Sequence, residues 1–199
     1  MDTGVLRTIF PKTLELLQDN SFVHIPEQFG RTVREELALP PAEDSSRWFP
    51  VFLKVRLVPQ KILEVAEFEY LRHLVLSESF IEPKPMAGNA APAPEVSLDL
   101  TVSLNASLQF VELHHSQRKL SRDSGLYCFF KCQGRFMEYQ LGLAQALLVD
   151  LLHEERSYTA RQLAESANQH PLGVAIPGAE WQEKISELIR LGILVLRTS

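Results

Sequence analysis

Residues 134–169 read GRFMEYQLGLAQALLVDLLHEERSYTARQLAESANQ, and after a short loop residues 180–196 read EWQEKISELIRLGILVL. The reading of these two runs decides the fold. Arg135–Leu141 alternates as a strand should, and Leu143, Leu147, Leu148, Leu151 and Leu152 recur as the apolar stripe of a helix. Ser157 is placed to cap a second helix whose Leu163 and Ala167 face inward. In the third, Trp181, Ile185, Leu188 and Ile189 form the stripe, Gly192 fits the position after the helix, and Ile193–Leu196 continues beyond it. A strand, three helices and a closing strand are the grammar of a winged helix or helix-turn-helix. Modules of this shape bind DNA or peptide and seldom perform chemistry.

Working backward, Leu126–Cys132 and Arg135–Leu141 predict a hairpin, with Gly134 supplying the positive φ of a tight turn. Gln117–Ser124 is polar and turn-like. Val96, Leu98, Leu100, Val102 and Leu104 alternate with polar residues, as in a strand covered on one face. Leu108–His114 extends it across a bulge at Asn105-Ala106. Before it, Pro83–Pro94 holds four prolines and little bulk, which predicts an extended linker.

The first 82 residues read as mostly helical. A helix is expected over 3–20, with Pro11 as a kink or its true start, and another opens at Pro26 and ends before Pro40-Pro41. Gln60–Phe80 has Ile62, Val65, Phe68, Leu71 and Val75 at helical spacing, with Glu64, Glu67 and Glu69 mostly off that stripe. Periodicity leaves 47–58 open between strand and buried helix. The expected fold is α+β: a helical domain at 1–82, a Pro/Ala-rich linker at 83–95, and a winged-helix-like domain at 96–199 built on an antiparallel sheet and three helices.

Composition narrows the function. The chain has 199 residues and a net charge of −5. Residues 1–82 carry nine Lys/Arg against thirteen Asp/Glu, and residues 96–199 ten against eleven. Neither part has the basic excess of a free-standing nucleic-acid binder. The N-terminus lacks the basic segment of a signal peptide, and no apolar run approaches the about 18 residues of a membrane span. The two cysteines, Cys128 and Cys132, share one face of a strand and lack the further ligands of a zinc site. A reduced, cytoplasmic protein is the expectation.

The sequence offers no nucleophile elbow, Walker loop or dinucleotide fingerprint. His114 and His115 are adjacent on a strand and point to opposite faces, so they cannot share an ion unaided. His153 sits at a helix C-terminus, where a cation is favoured structurally. Glu35-Glu36 and Glu154-Glu155 read as solvated helix faces. No catalytic residue, metal or cofactor is expected.

DNA and peptide remain as ligands. A DNA-reading third helix would present cations to phosphate, but 180–190 carries three glutamates against Lys184 and Arg190. A peptide can instead add as a strand beside Phe136, Met137, Glu138, Tyr139 and Gln140. The third helix then forms the groove wall through Trp181, Lys184, Ile185 and Leu188.

The order of a hairpin ending in Phe136–Leu141, a helix from Leu143, a second at Thr159–Ala164 and a third closing on Leu188–Leu194 resembles the family of pyrroloquinoline quinone biosynthesis protein D. That family includes the precursor-peptide recognition elements of ribosomally made, post-translationally modified peptide (RiPP) pathways. The resemblance covers 125–197 and implies a non-catalytic accessory protein. It would bind a leader peptide at 136–140 and 181–189 and present it to a partner modifying enzyme, with a multinuclear non-haem iron enzyme as one such partner. The long strand at 96–104 and the domain at 1–82 depart from the family and would suit docking onto that partner. A winged-helix regulator of transcription, bound to duplex DNA, is the alternative.

Overall fold

A computed structural model describes residues 3–35, 45–77, 99–154, 158–173 and 178–197. Among them are eight α-helices and two three-stranded sheets, a mixed α+β fold. The chain divides into two compact units, one of residues 1–77 with 111–125, the other of 78–110 with 126–199. The segment 111–125, read from the sequence as part of the second domain, therefore lies with the first. The expected linker at 83–95 falls outside the described residues.

In the first unit Pro11 splits the expected leading helix into α1 (Thr3–Ile9) and α2 (Pro11–Asp19). Proline suits a first helical position, where its missing N–H has no partner to lose. The preceding Phe10 offers no side-chain cap. The acceptor comes from far along the chain: Glu69 Oε1 takes the N–H of Lys12 at 2.8 Å, and Oε2 takes the N–H of Thr13 at 2.9 Å and its hydroxyl at 2.8 Å. A carboxylate thus caps α2 in trans. Burial pushes the Glu69 carboxyl above its usual range despite these three donors.

After α3 (Ile25–Glu35) and a 3-10 turn at Ser45–Arg47 comes α4 (Trp48–Val55). The ambiguous stretch is a helix. Phe49 and Leu53, one turn apart, are both fully buried. The Phe49 ring lies 4.9 Å from Phe10 and 5.0 Å from Phe29 in tilted aromatic contacts. A helix puts both residues on the core side, which the period of a strand would also do. The aromatic cluster joins Phe10, between α1 and α2, with Phe29 of α3 and Phe49 of α4. Then α5 (Gln60–Ser77) runs through the unit, packed by α1, α2 and α4.

Glu64 of α5, read as off the apolar stripe, is fully buried. Its Oε2 accepts from Gln117 Nε2 at 2.9 Å and from the His115 N–H at 3.3 Å, and its Oε1 from His115 Nδ1 at 3.0 Å. Gln117 and Arg122 pair across a turn, and Lys119 reaches Glu15 at 2.6 Å and Asp19 at 3.1 Å. The polar turn at 117–124 is thereby fastened to α5 and α2.

In the second unit β1 (Thr101–Leu104) is central in the order β5-β1-β6, antiparallel to β5 (Tyr158–Thr159) and β6 (Leu194–Arg197). Of the strand expected from residue 96, residues 96–98 lie outside the described residues. The expected bulge at Asn105-Ala106 is not one: β2 (Gln109–Leu113) belongs to the other sheet, ordered β2-β3-β4 with β3 (Gly125–Cys132) and β4 (Arg135–Leu141).

Asn105 makes the change of sheet. It is buried, and its Nδ2 donates to Lys131 O at 2.9 Å and Gly192 O at 2.8 Å. Its Oδ1 accepts the N–H and hydroxyl of Ser107 at 2.9 and 2.8 Å, and its own N–H reaches Ile193 O at 2.9 Å. Every polar atom of the amide is satisfied.

The β3–β4 hairpin turns at Gln133-Gly134, with φ of 53° and 71°, the twin positive values of a type I′ turn. Three helices follow: α6 (Leu143–Glu154), α7 (Ala160–Gln169) and α8 (Gly178–Leu191). The cap of α7 is Thr159, in a capping box with Gln162, two residues later than the expected Ser157. Helix α8 ends in a Schellman motif: Gly192 has φ 81°, and Ile193 N–H bonds Leu188 O at 3.0 Å. A Cβ at residue 192 would stand 2.6 Å from Cys132 Sγ, so glycine is needed for space as well as for φ. The core joins Cys128 and Phe130 of β3 with Leu148, Leu163, Trp181 and Leu188. No helix among the described residues is long and apolar enough to cross a membrane.

Candidate functional site

The alternation of β4 sorts the expected contact residues. Met137 and Tyr139 are half-buried and pack against the core of the second unit. Phe136, Glu138 and Gln140 take the opposite face by the period of a strand. There the Phe136 ring stacks on Phe129, with centroids 6.0 Å apart and planes 19° from parallel. The five residues of 136–140 therefore do not form one surface: Met137 and Tyr139 share the face toward the core, and Phe136, Glu138 and Gln140 share the other. On α8 the correction is larger. Trp181, Ile185 and Leu188 are 0%, 1% and 0% exposed, so they are core and offer a ligand nothing to touch. Lys184, half-buried, is the one expected α8 contact that reaches the surface.

Between β4 and α8 runs a chain of polar contacts. Gly142 N–H donates to Gln145 Oε1 at 2.8 Å, and Gln145 Nε2 donates to the Tyr139 hydroxyl at 3.3 Å. Tyr139 donates in turn to Glu187 Oε1 at 3.2 Å, and Lys184 Nζ donates to Glu187 Oε2 at 3.1 Å. Burial raises the Glu187 carboxyl, but the bonds and charge of Lys184, with the bonds from Tyr139 and Gln145, outweigh it and hold the group below its usual range. The Glu187 carboxylate raises the Lys184 ammonium correspondingly. Both groups are thus held charged at neutral pH. Met137 lies on the same face of β4 as Tyr139, which this ion pair ties to α8.

Glu187 and Gln145 were missed in the sequence. Glu187 counted only as one of three glutamates on the third helix, although its i, i+3 spacing from Lys184 predicts a pair. Gln145 stands three residues after Gly142, where a glutamine reaches back to the first N–H of a helix.

Little here is built for covalent chemistry. Burial pushes the Cys128 thiol up to about 12, which keeps it protonated and inert as a nucleophile. His115 is engaged by Glu64, and His114 Nδ1 lies 3.6 Å from exposed Glu112. Among the described residues no group of three or more His, Cys, Asp or Glu side chains is placed to hold a metal ion. Neither a protein-family model nor a curated protein matches this chain.

Proposed function

We propose that the second unit is a winged-helix-like peptide-recognition module, and that the protein binds the leader of a precursor peptide and presents it to a partner modifying enzyme in RiPP biosynthesis. The observation that carries this reading is the Tyr139–Glu187 bond, which joins the last strand of the β2-β3-β4 sheet to α8 and would give a peptide cleft between them a defined polar end. The order of a hairpin followed by α6, α7 and α8 supports it. So does the turning of Met137 and Tyr139 together toward the core side. An extended peptide lying along β4 would cover Met137 and meet Tyr139, Lys184 and Glu187, two of which carry charge for its polar side chains. No catalytic residue is assigned, and no cofactor enters the reading. The first unit would hold the partner enzyme.

Duplex DNA finds less support as the ligand. On α8, Lys184 is committed to Glu187, and Gln182 and Glu183 are exposed beside it.

The test is fluorescence anisotropy with labelled leader peptides synthesised from short reading frames adjoining the gene. Tyr139→Ala and Met137→Asp are each expected to weaken binding by about tenfold or more, in the range of single anchor residues. Unchanged affinity in both variants would remove the cleft as the site.

A further inference from the structure

The α4 helix is mostly apolar, yet only part of that apolar surface faces the core of the described residues. Phe49 and Leu53 face the core, whereas Val51 and Val55, one turn apart on the other face, are 49% and 73% exposed. Just past the helix Leu57 is 87% exposed and adopts the left-handed conformation, φ 55°. Its N–H bonds Lys54 O at 3.1 Å and the next N–H, of Val58, bonds Leu53 O at 3.3 Å, so residue 57 occupies the place in a Schellman motif that helices ordinarily give to glycine. A branched side chain here meets backbone strain that glycine avoids, and it spends that strain on exposing a leucine to water. Two local rules are broken at one residue, the pattern expected where a surface is kept for use.

Charge says what the surface takes. Residues 45–63 contain four cations, Arg47, Lys54, Arg56 and Lys61, and no carboxylate, in a chain whose net charge is −5. Lys54, Arg56 and Lys61 are exposed; the charge of Lys54 is felt by Glu67 of α5, and none of the three is within ion-pair distance of a carboxylate among the described residues. The Arg56 guanidinium lies 4.9 Å from the Phe52 ring centroid, which holds it beside the apolar ridge.

We propose that Val51, Val55 and Leu57, rimmed by Lys54, Arg56 and Lys61, form a docking surface for an acidic amphipathic segment of a partner protein. A lipid surface is the weaker occupant: three aliphatic side chains at the end of an eight-residue helix are a small anchor, and the chain's net negative charge opposes an anionic bilayer. The inference deepens the role proposed for the first unit as the holder of a partner, and rests on none of the residues assigned to leader binding.

The experiment uses the full chain and a labelled amphipathic helical peptide with leucines on one face and glutamates on the other. The expected result is saturable binding, weakened about tenfold or more by Leu57→Gly and by Lys54→Glu with Arg56→Glu. Leu57→Gly is also expected to keep or raise the unfolding midpoint, since glycine relieves the strain, so its loss of binding is not a loss of fold. Tyr139→Ala is expected to leave this binding unchanged, which separates its failure from failure of the leader site. No binding, equal binding by Leu57→Gly, equal binding of a peptide with lysine in place of every glutamate, or co-sedimentation with phosphatidylserine vesicles in place of peptide binding would each overturn it. So would self-association of the chain that Leu57→Gly abolishes.

Discussion

Asn105→Leu is expected to destabilise the second unit by about 2–4 kcal/mol, read as a fall in the midpoint of denaturant unfolding followed by the fluorescence of Trp181 in a Trp48→Phe background. The amide has a donor for two carbonyls, Lys131 O and Gly192 O, and an acceptor for two donors of Ser107. Leucine has similar size but leaves those groups facing hydrocarbon, and each unsatisfied buried group costs about 1–3 kcal/mol. Asn105→Asp is expected to be at least as damaging. It keeps the acceptor for Ser107 but turns a second oxygen toward the two carbonyls. Ser107→Ala removes the hydroxyl that donates to Asn105 Oδ1 and accepts the Lys131 N–H at 2.8 Å, and is expected to cost about 1–3 kcal/mol. If the leucine variant unfolded with wild-type stability, Asn105 would not be the tie between the two sheets and the end of α8.

Glu64 has the second large effect. Glu64→Leu is expected to cost about 1–3 kcal/mol, chiefly because it deprives buried Gln117 of its acceptor, while exposed His115 can turn to water. The effect should appear as faster proteolysis in the turn at 117–124, which loses its tie to α5. A pH dependence accompanies it. Burial raises the Glu64 carboxyl, but the bonds from His115 and Gln117 prevail and set it below its ordinary value of 4.5. A carboxyl lowered by folding stabilises above its unfolded value, and that contribution is lost as pH falls through the folded one. The Glu64 contribution is therefore whole at neutral pH and fades below 4.5. Glu67 and Glu69, raised chiefly by burial, act in the opposite sense, since their charged forms weigh against folding as pH rises through their elevated values. Glu64→Gln should remove the acid-side loss due to Glu64 and leave the other two terms. Identical acid limbs in the parent and Glu64→Gln would contradict the assignment.

These two residues also mark where the sequence stopped being legible. Apolar periodicity was sufficient for α5, α6 and α8 and for the β3–β4 hairpin, because burial repeats with the backbone period. It was silent about polar residues that are buried for their hydrogen bonds. Glu64 and Glu69 sit off the stripe of α5, yet one fastens the turn at 117–124 and the other caps α2. Their partners lie roughly fifty residues away, and no local pattern announces them. Asn105 looked like a bulge because its neighbours continue to alternate on both sides. The chain in fact leaves one sheet for another there. The stretch at 47–58 was ambiguous for a similar reason: its core contacts come from Phe10 and Phe29, which its own spacing cannot reveal.

Of the residues expected at the candidate site, Tyr139 and Lys184 both bond Glu187 and Met137 shares the face of Tyr139, while the α8 stripe of Trp181, Ile185 and Leu188 is core. A helical stripe in a small module is needed for packing first, and little is left for a ligand. The residues that complete these contacts, Glu187 and Gln145, are polar and were passed over for the same reason as Glu64.

The central claim is that a peptide occupies the cleft between β4 and α8. Hydrogen–deuterium exchange of the full chain, with and without a saturating leader peptide, tests it most directly. The account predicts slowed exchange in 135–141 and along α8, with α1 to α5 unchanged and the slowing lost in Tyr139→Ala. Protection confined to the first unit, or binding without protection in β4, would contradict it.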